Sequence, residues 1–255
     1  MTASNPKDLL QQQIDDAVKK FATTPTVKSY LPDRLTRAAI AERIDHTQLA
    51  VTATPENINA VCEEARAKGF IAVCVTSLQL PLAAKLLQGS ETRPICTIGF
   101  PAGTVSTAVK AYETRWSVQH GAREIDMVIS IGHLKAKDYT HVYNDIKAVQ
   151  QVCPADVPLK VILETGVLER NEIIAGCILS KQAGASFVKT STGFGAGQAT
   201  VANISLMRAV VGEGMGVKAS GGIRDWEAAK AMLVAGADRL GASAGVKILD
   251  EMPQA

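Results

Sequence analysis

Aromatic residues are scarce in this chain: two tryptophans, four tyrosines and five phenylalanines among 255 residues. Stacking platforms for single-stranded nucleic acid need aromatic faces, so that class of partner is not expected. Net charge is equally slight, +2 at neutral pH, which gives no strong field toward nucleic acid or an anionic membrane. No apolar run approaches the roughly 20 residues needed to span a bilayer. The opening Met1-Thr2-Ala3-Ser4-Asn5 has no apolar signal core, and Asp8, Asp15 and Asp16 are at odds with an acid-poor transit peptide. Cysteines 62, 74, 96, 153 and 177 are odd in number and contain no C-x-x-C pair. They are expected as reduced, core-packing thiols of a cytoplasmic protein. His120, His133 and His141 show no metal-like spacing relative to one another and are assigned no role.

What is present is ordinary globular composition, 47% hydrophobic and 20% charged, in a chain of the size at which α/β barrels close, about 250 residues. Asn5-Pro6 signals a helix start, and Leu10, Ile14, Ala17, Val18 and Phe21 form one helical stripe. A second helix is expected from about Pro32 to Arg43. Residues 1–43 thus form a helical extension packed on the remainder of the chain, with no linker to make them a separate domain.

From Ile44 to the end at 255, short apolar runs alternate with amphipathic helices. Strands are expected to begin near Ile44, Ile71, Pro94, Glu124, Pro158, Ser186, Gly216 and Asp238. Eight strands alternating with helices imply parallel pairing and a (β/α)8 barrel. Gly69, Gly121, Gly184 and Gly236 each stand between a helix and a strand, where a left-handed residue ends the helix. Thr54-Pro55 and Asp225 supply helix starts.

Two stretches share one design. Phe187-Val188-Lys189-Thr190-Ser191-Thr192-Gly193 and Gly216-Val217-Lys218-Ala219-Ser220-Gly221-Gly222 each end an apolar run on a lysine, then continue in small residues and glycine. A single lysine at a strand end more often snorkels into water. Two amines on adjacent strands lower each other's proton affinity, which suits Schiff-base chemistry. Asp126, a carboxylate inside an apolar strand, needs partners, and the two lysines are the obvious ones. Lys160 and Glu164 share one face of the fifth strand and fit an orienting ion-pair role. Asp45 and Thr47, at the end of the first strand, could hydrogen-bond a substrate; His46 between them is a weak signal. The glycine-rich segments after strands seven and eight, with Gly221, Gly222, Gly241 and Ser243, stand where such barrels often hold phosphate.

Taken in order, Asp45-His46-Thr47, Ala72-Val73-Cys74-Val75, Glu124-Ile125-Asp126-Met127-Val128, Leu159 to Gly166, Val188 to Gly193 and Val217 to Gly222 resemble the deoxyribose-phosphate aldolases, from about Ile44 to Leu249. The resemblance implies a metal-independent class I aldolase. Such an enzyme cleaves 2-deoxy-D-ribose 5-phosphate to glyceraldehyde 3-phosphate and acetaldehyde in deoxynucleotide catabolism, commonly as a homodimer or larger homo-oligomer. It implies Lys189 as the Schiff-base lysine, Lys218 as the neighbour that tunes it, and Asp126 in the proton relay. Thr192, Gly193, Gly221, Gly222 and Ser243 would contact sugar and phosphate. The chain departs from the family at Gln48-Leu49-Ala50, at Thr76, at Ala244 in place of a second serine, and in a tail without a terminal tyrosine. Two rivals remain at this level: another phosphosugar barrel enzyme, such as a transaldolase-like transferase or an isomerase, and a barrel that binds phosphosugar without catalysis.

Overall fold

Eight short parallel strands pair in chain order and close on themselves: β1 (Ile44–Thr47), β2 (Ala72–Val75), β3 (Arg93–Ile98), β4 (Glu124–Val128), β5 (Leu159–Ile162), β6 (Phe187–Lys189), β7 (Gly216–Ser220) and β8 (Arg239–Ala242). Closure is made by β8 against β1, with Ile44 beside Leu240 and His46 beside Ala242. The structure, a computed structural model, describes residues 6–23, 26–33 and 35–253. Every strand begins within one residue of its expected start, and the (β/α)8 barrel is the observed fold.

The helices are α1 (Pro6–Lys20), α2 (Arg37–Ala41), α3 (Pro55–Lys68), α4 (Leu80–Leu86), α5 (Thr107–Gln119), α6 (Ile131–Lys135), α7 (Tyr139–Gln150), α8 (Arg170–Ala183), α9 (Val201–Val211), α10 (Trp226–Val234) and α11 (Gly245–Asp250). Local chemistry sets their ends. Thr54 caps α3 in a reciprocal box with Asn57, and Asp225 accepts from the Ala228 amide to cap α10. Gly69, Gly121, Gly184 and Gly236 all take positive φ where a helix turns back into a strand. Among the described residues no helix is long and apolar enough to cross a membrane.

The second helix is much shorter than expected. Thr36, with extended backbone, accepts from the Ala39 amide and starts α2 there, so residues before Thr36 stay outside it. Asn5, read as the cap of α1, lies outside the described residues, as does the end of the tail at Gln254 and Ala255. Helix α1 buries Ile14 and Ala17, and Phe21 beyond its end is buried too; it packs on α7 and α8. Arg170 of α8 donates to the Phe21 carbonyl at 2.7 Å.

Two hydrophobic regions result. The large one fills the space between strands and helices. A small one of Leu49, Ala72, Cys74 and Ile95 occupies part of the barrel interior. Much of the rest of that interior is charged, because alternate residues of each strand face inward and many of them here are Asp, Glu, Lys or Arg. Outside the barrel, Lys110 of α5 is fully buried and donates to Asp145 of α7 at 2.6 Å and to the Val128 carbonyl at 2.9 Å. That pair clamps two helices over the end of β4. All five cysteines are free, and burial pushes the thiols of Cys62 and Cys74 to about 11 and those of Cys96 and Cys153 to about 12. Protonated thiols are poor nucleophiles.

Candidate active site

Strand register brings the chemistry together. Lys189 of β6 sits directly beside Lys218 of β7, Asp126 of β4 beside Lys160 of β5, and Lys218 beside Arg239 of β8. The period of two along each strand then places Glu124 one layer below Asp126 on the inner face.

Asp126 is the hub. Its Oδ2 accepts from Lys189 at 2.9 Å and from Lys218 at 2.7 Å, while Oδ1 accepts from Lys160 at 2.9 Å. Lys218 also reaches Asp45 Oδ2 at 2.5 Å, and Lys160 reaches Glu124 Oε2 at 2.5 Å. Arg239 closes the ring by binding Asp45 and Glu124 together. Four interior cations thus face three carboxylates. Each of these groups is at least 94% buried, so none can rely on water and each depends on its partners.

The electrostatic consequences come from burial and pairing. Burial alone would raise the Asp45 carboxyl, but Arg239 and Lys218 overcome it and hold the group at about 2. Asp126, equally buried, is held well below the usual carboxylate range by Lys160, Lys189 and Lys218. Glu124 is lowered by Lys160 and Arg239 against its own burial. Burial would strip Lys218 of its proton, yet Asp126 and Asp45 raise it above the ordinary lysine value. Lys218 is therefore locked as a cation between two anions, an arrangement that unfits it as a nucleophile.

Lys189 differs from Lys218 in access and in partners. It meets one carboxylate and lines a cavity of about 500 Å³ at the C-terminal ends of the strands. Thr192 and Gly193 after β6, Gly221, Gly222 and Arg224 after β7, Gly241 and Ser243 at and after the end of β8, and Thr47 of the adjoining β1 line it. Gly221 and Gly222 take φ of +89° and +78°, which lets this turn adopt a left-handed path beside the cavity. Phe194 also lines the cavity, edge-on to Phe100 with ring centroids 5.4 Å apart. A hollow of similar size, about 550 Å³, lies at the opposite end of the barrel among Arg93, Arg123 and Asp156, and none of the interior lysines lines it.

The structure therefore gathers Lys189, Lys218 and Asp126 as the sequence suggested, and places Thr47, Thr192, Gly193, Gly221, Gly222, Gly241 and Ser243 around one cavity. Asp45 is displaced from its expected role: it is fully buried, does not line the cavity, and is engaged by Lys218 and Arg239. His46 turns to the helix side, where it meets Glu64 at 2.6 Å. Lys160 and Glu164 do not act as a set. The strand ends at Ile162, and Glu164 takes φ +60°, so it leaves the face that Lys160 occupies. Glu124 and Arg239 complete the charge ring without having been singled out, and Lys160 forms ion pairs with Asp126 and Glu124 in place of Glu164. For Glu124 the signal was the alternation within β4, where it stands two residues before Asp126; Arg239 opens β8 with no such pattern. His133, Asp138 and His141 converge on the outer surface, where Asp138 caps α7 and pairs with His133 at 3.1 Å.

Comparison with known proteins agrees with this geometry. A family model described as DeoC/LacD family aldolase matches residues 39–251. The deoxyribose-phosphate aldolase of Thermotoga maritima is 45% identical over 243 residues, 94% of this chain and 96% of that protein. That of Caldanaerobacter subterraneus subsp. tengcongensis is 50% identical over 214 residues, 83% of this chain and 93% of that protein. A crystal structure from Coccidioides immitis superposes with a TM-score of 0.90 at 44% identity, covering 98% of this chain and 99% of its own. The tetrameric deoxyribose phosphate aldolase of Aeropyrum pernix gives 0.79 at 30% identity, with 97% of both chains covered.

Proposed function

The chain belongs to the DeoC/LacD family of aldolases, and from that premise we propose that it is a deoxyribose-phosphate aldolase, cleaving 2-deoxy-D-ribose 5-phosphate reversibly to D-glyceraldehyde 3-phosphate and acetaldehyde. One observation carries the assignment beyond similarity. Among the described residues, Lys189 is the interior lysine that lines the cavity, and its amine rests on a carboxylate shared with a second lysine.

The residues divide the chemistry among them. Lys189, as the free amine, adds to the C1 aldehyde of the open-chain sugar, and loss of water leaves an iminium ion. Its positive nitrogen replaces the ammonium against Asp126, an anion already oriented to receive it. When the C3 hydroxyl gives up its proton, the C2–C3 bond breaks. The bonding pair moves into the iminium to form an enamine, and C3 becomes the aldehyde of glyceraldehyde 3-phosphate. Protonation of the enamine at C2 and hydrolysis of the resulting imine release acetaldehyde and regenerate Lys189. The iminium is the electron sink, so this route calls on no metal. Asp126 and Lys218, with water, carry the proton, and Asp45 keeps Lys218 charged and in place. The glycine turns at Gly221-Gly222 and Gly241, with Ser243 and Arg224, receive the phosphate, since backbone amides and a guanidinium suit an anion.

Borohydride trapping with acetaldehyde, followed by peptide mass mapping, tests the assignment. The expected result is a reduced adduct on Lys189 and none in Lys189→Leu. An adduct on Lys218 would reverse the two lysines. Folded protein that binds the phosphosugar but yields no adduct would favour a barrel that binds without catalysis.

We place the activity in the cytoplasm and in deoxynucleotide catabolism, and the chain in a homo-oligomer. Val51 and Leu78, on the loops after β1 and β2, are 94% and 84% exposed, an aliphatic surface that a second copy could cover. Gel filtration of the wild type and of Leu78→Glu checks this: a smaller species in the variant is expected.

A further inference from the structure

Beyond the lysines and the phosphate end, one buried carboxylate has no part in the chemistry above. Glu164 is 4% exposed, and its backbone is left-handed, with φ +60°. A residue that carries a side chain adopts that conformation at a cost, and such positions cluster where a site must be held in shape. Here it ends the run of β5 and turns the side chain toward the loop after β6, away from the interior charge ring.

The hydrogen bonds on that loop converge on Thr192, while Glu164 Oε1 is buried without a partner among the described residues. Glu164 Oε2 accepts from the Thr192 hydroxyl at 2.5 Å and from the Thr192 amide at 3.2 Å. The same hydroxyl oxygen accepts from the amides of Phe194 at 3.1 Å and Gly195 at 3.3 Å. A hydroxyl has one proton to donate and two lone pairs, so the Thr192 side chain is saturated and has no capacity left for a substrate. The carboxylate is also enclosed by the loop: a Cβ at Gly195 would stand 2.9 Å from its carboxyl carbon. Nearby, Gly166 and Gly197 approach so closely that a Cβ on Gly166 would lie 2.1 Å from the Gly197 Cα. The Thr165 amide donates to the Thr190 carbonyl at 2.9 Å, one residue beyond Lys189.

We propose that Glu164 is a positioning residue of the aldolase site, and that Thr192 acts with it as a rivet rather than as a substrate ligand. Together they hold the segment from Gly193 to Gly197 against the end of β5. This fixes Gly193 and Phe194, which line the cavity with Lys189, and so sets where the loop after β6 stands relative to the glycine turns that receive the phosphate. The inference rests on the functional assignment above for its kinetic consequence, but not for its structural one.

The chemistry separates the two. Imine formation with acetaldehyde needs Lys189 and a short aldehyde only, whereas productive binding of the phosphosugar also needs the loop after β6 in place beside the phosphate-receiving turns. Glu164→Leu and Thr192→Val each remove the bond at near-constant volume; Glu164→Gln retains an acceptor oxygen. The expected outcome is a rise in KM for 2-deoxyribose 5-phosphate of about tenfold or more in Glu164→Leu and in Thr192→Val. The double variant should be little worse than either single one, Glu164→Gln should recover most of the loss, and borohydride trapping of acetaldehyde on Lys189 should stay near the wild-type extent. Amide hydrogen exchange at Phe194 and Gly195 should quicken in both single variants. A Glu164→Leu protein that melts earlier but keeps its KM and its slow exchange at these amides would overturn the proposal, as would independent, multiplicative effects of the two substitutions. Should the wild type fail to cleave the phosphosugar, the functional assignment falls, and the exchange measurement still decides the rivet.

Discussion

Lys189 and Lys218 donate to the same oxygen of Asp126, at 2.9 and 2.7 Å, from directly paired positions on neighbouring strands. Two ammonium groups on one acceptor repel each other in a setting without water to screen them. Lys218 is held charged by a second carboxylate, Asp45, so it stands as a fixed cation beside the amine of Lys189. Replacing Lys218 with Leu removes the neighbouring cation. The acid limb of the rate profile should then move to higher pH, with adduct formation on Lys189 still detectable at alkaline pH. An unshifted profile would show that Lys218 does not tune its neighbour.

Acid stability should report the charge ring. Asp45 titrates at about 2 in the folded protein against an ordinary value of 3.8. Because the folded value is depressed, its contribution is complete above pH 3.8 and disappears as pH falls toward 2, and a shift of this size is worth about 2 kcal/mol. Asp126 and Glu124 are lowered too and act in the same sense. Lys218, raised above 10.5, acts in the opposite sense: its contribution is complete below pH 10.5 and is lost only as pH climbs through its folded value. Urea midpoints measured between pH 2 and 5 should fall steeply for the wild type and less steeply for Asp45→Asn, which starts from a lower value at neutral pH.

The clamp between α5 and α7 is open to a sharper test. Among the described residues, Lys110→Met leaves the buried Asp145 side chain with the Thr107 hydroxyl as its remaining hydrogen-bond partner, and unpairing a buried charge costs about 3–5 kcal/mol. The double change Lys110→Met with Asp145→Leu removes both charges and should recover a large share of that loss. Thermal denaturation of the two variants decides it; equal melting temperatures would mean that leaving Asp145 unpaired costs little.

Gly166→Ala should disturb the site from outside the cavity. The new methyl would meet backbone at Gly197, not a side chain that could swing aside, so the chain itself must shift. A destabilisation of about 1–3 kcal/mol is expected, together with a raised KM for the phosphosugar. Calorimetry and steady-state kinetics on the same preparation check both halves.

Much of this protein was determined by its sequence acting locally. Alternation of apolar runs with amphipathic helices, and left-handed glycines at Gly69, Gly121, Gly184 and Gly236, mark the eight strands to within a residue, because hydrophobic period and helix capping depend on near neighbours. The lysine-plus-glycine stretches at Lys189 and Lys218 were legible for the same reason. Where a short capping signal competed with a plausible helical stretch, as at Thr36, the cap prevailed and α2 was shorter than its composition suggested. Only the tertiary structure decided which charges meet. Closure of the barrel sets the register that puts Lys160 beside Asp126, turns Asp45 away from the cavity to hold Lys218, and brings Arg239 of the last strand across to the first and fourth. Glu164 left the face of Lys160 because one backbone angle reversed after β5. Buried charges choose partners by distance through space, and that distance exists only once the sheet has closed.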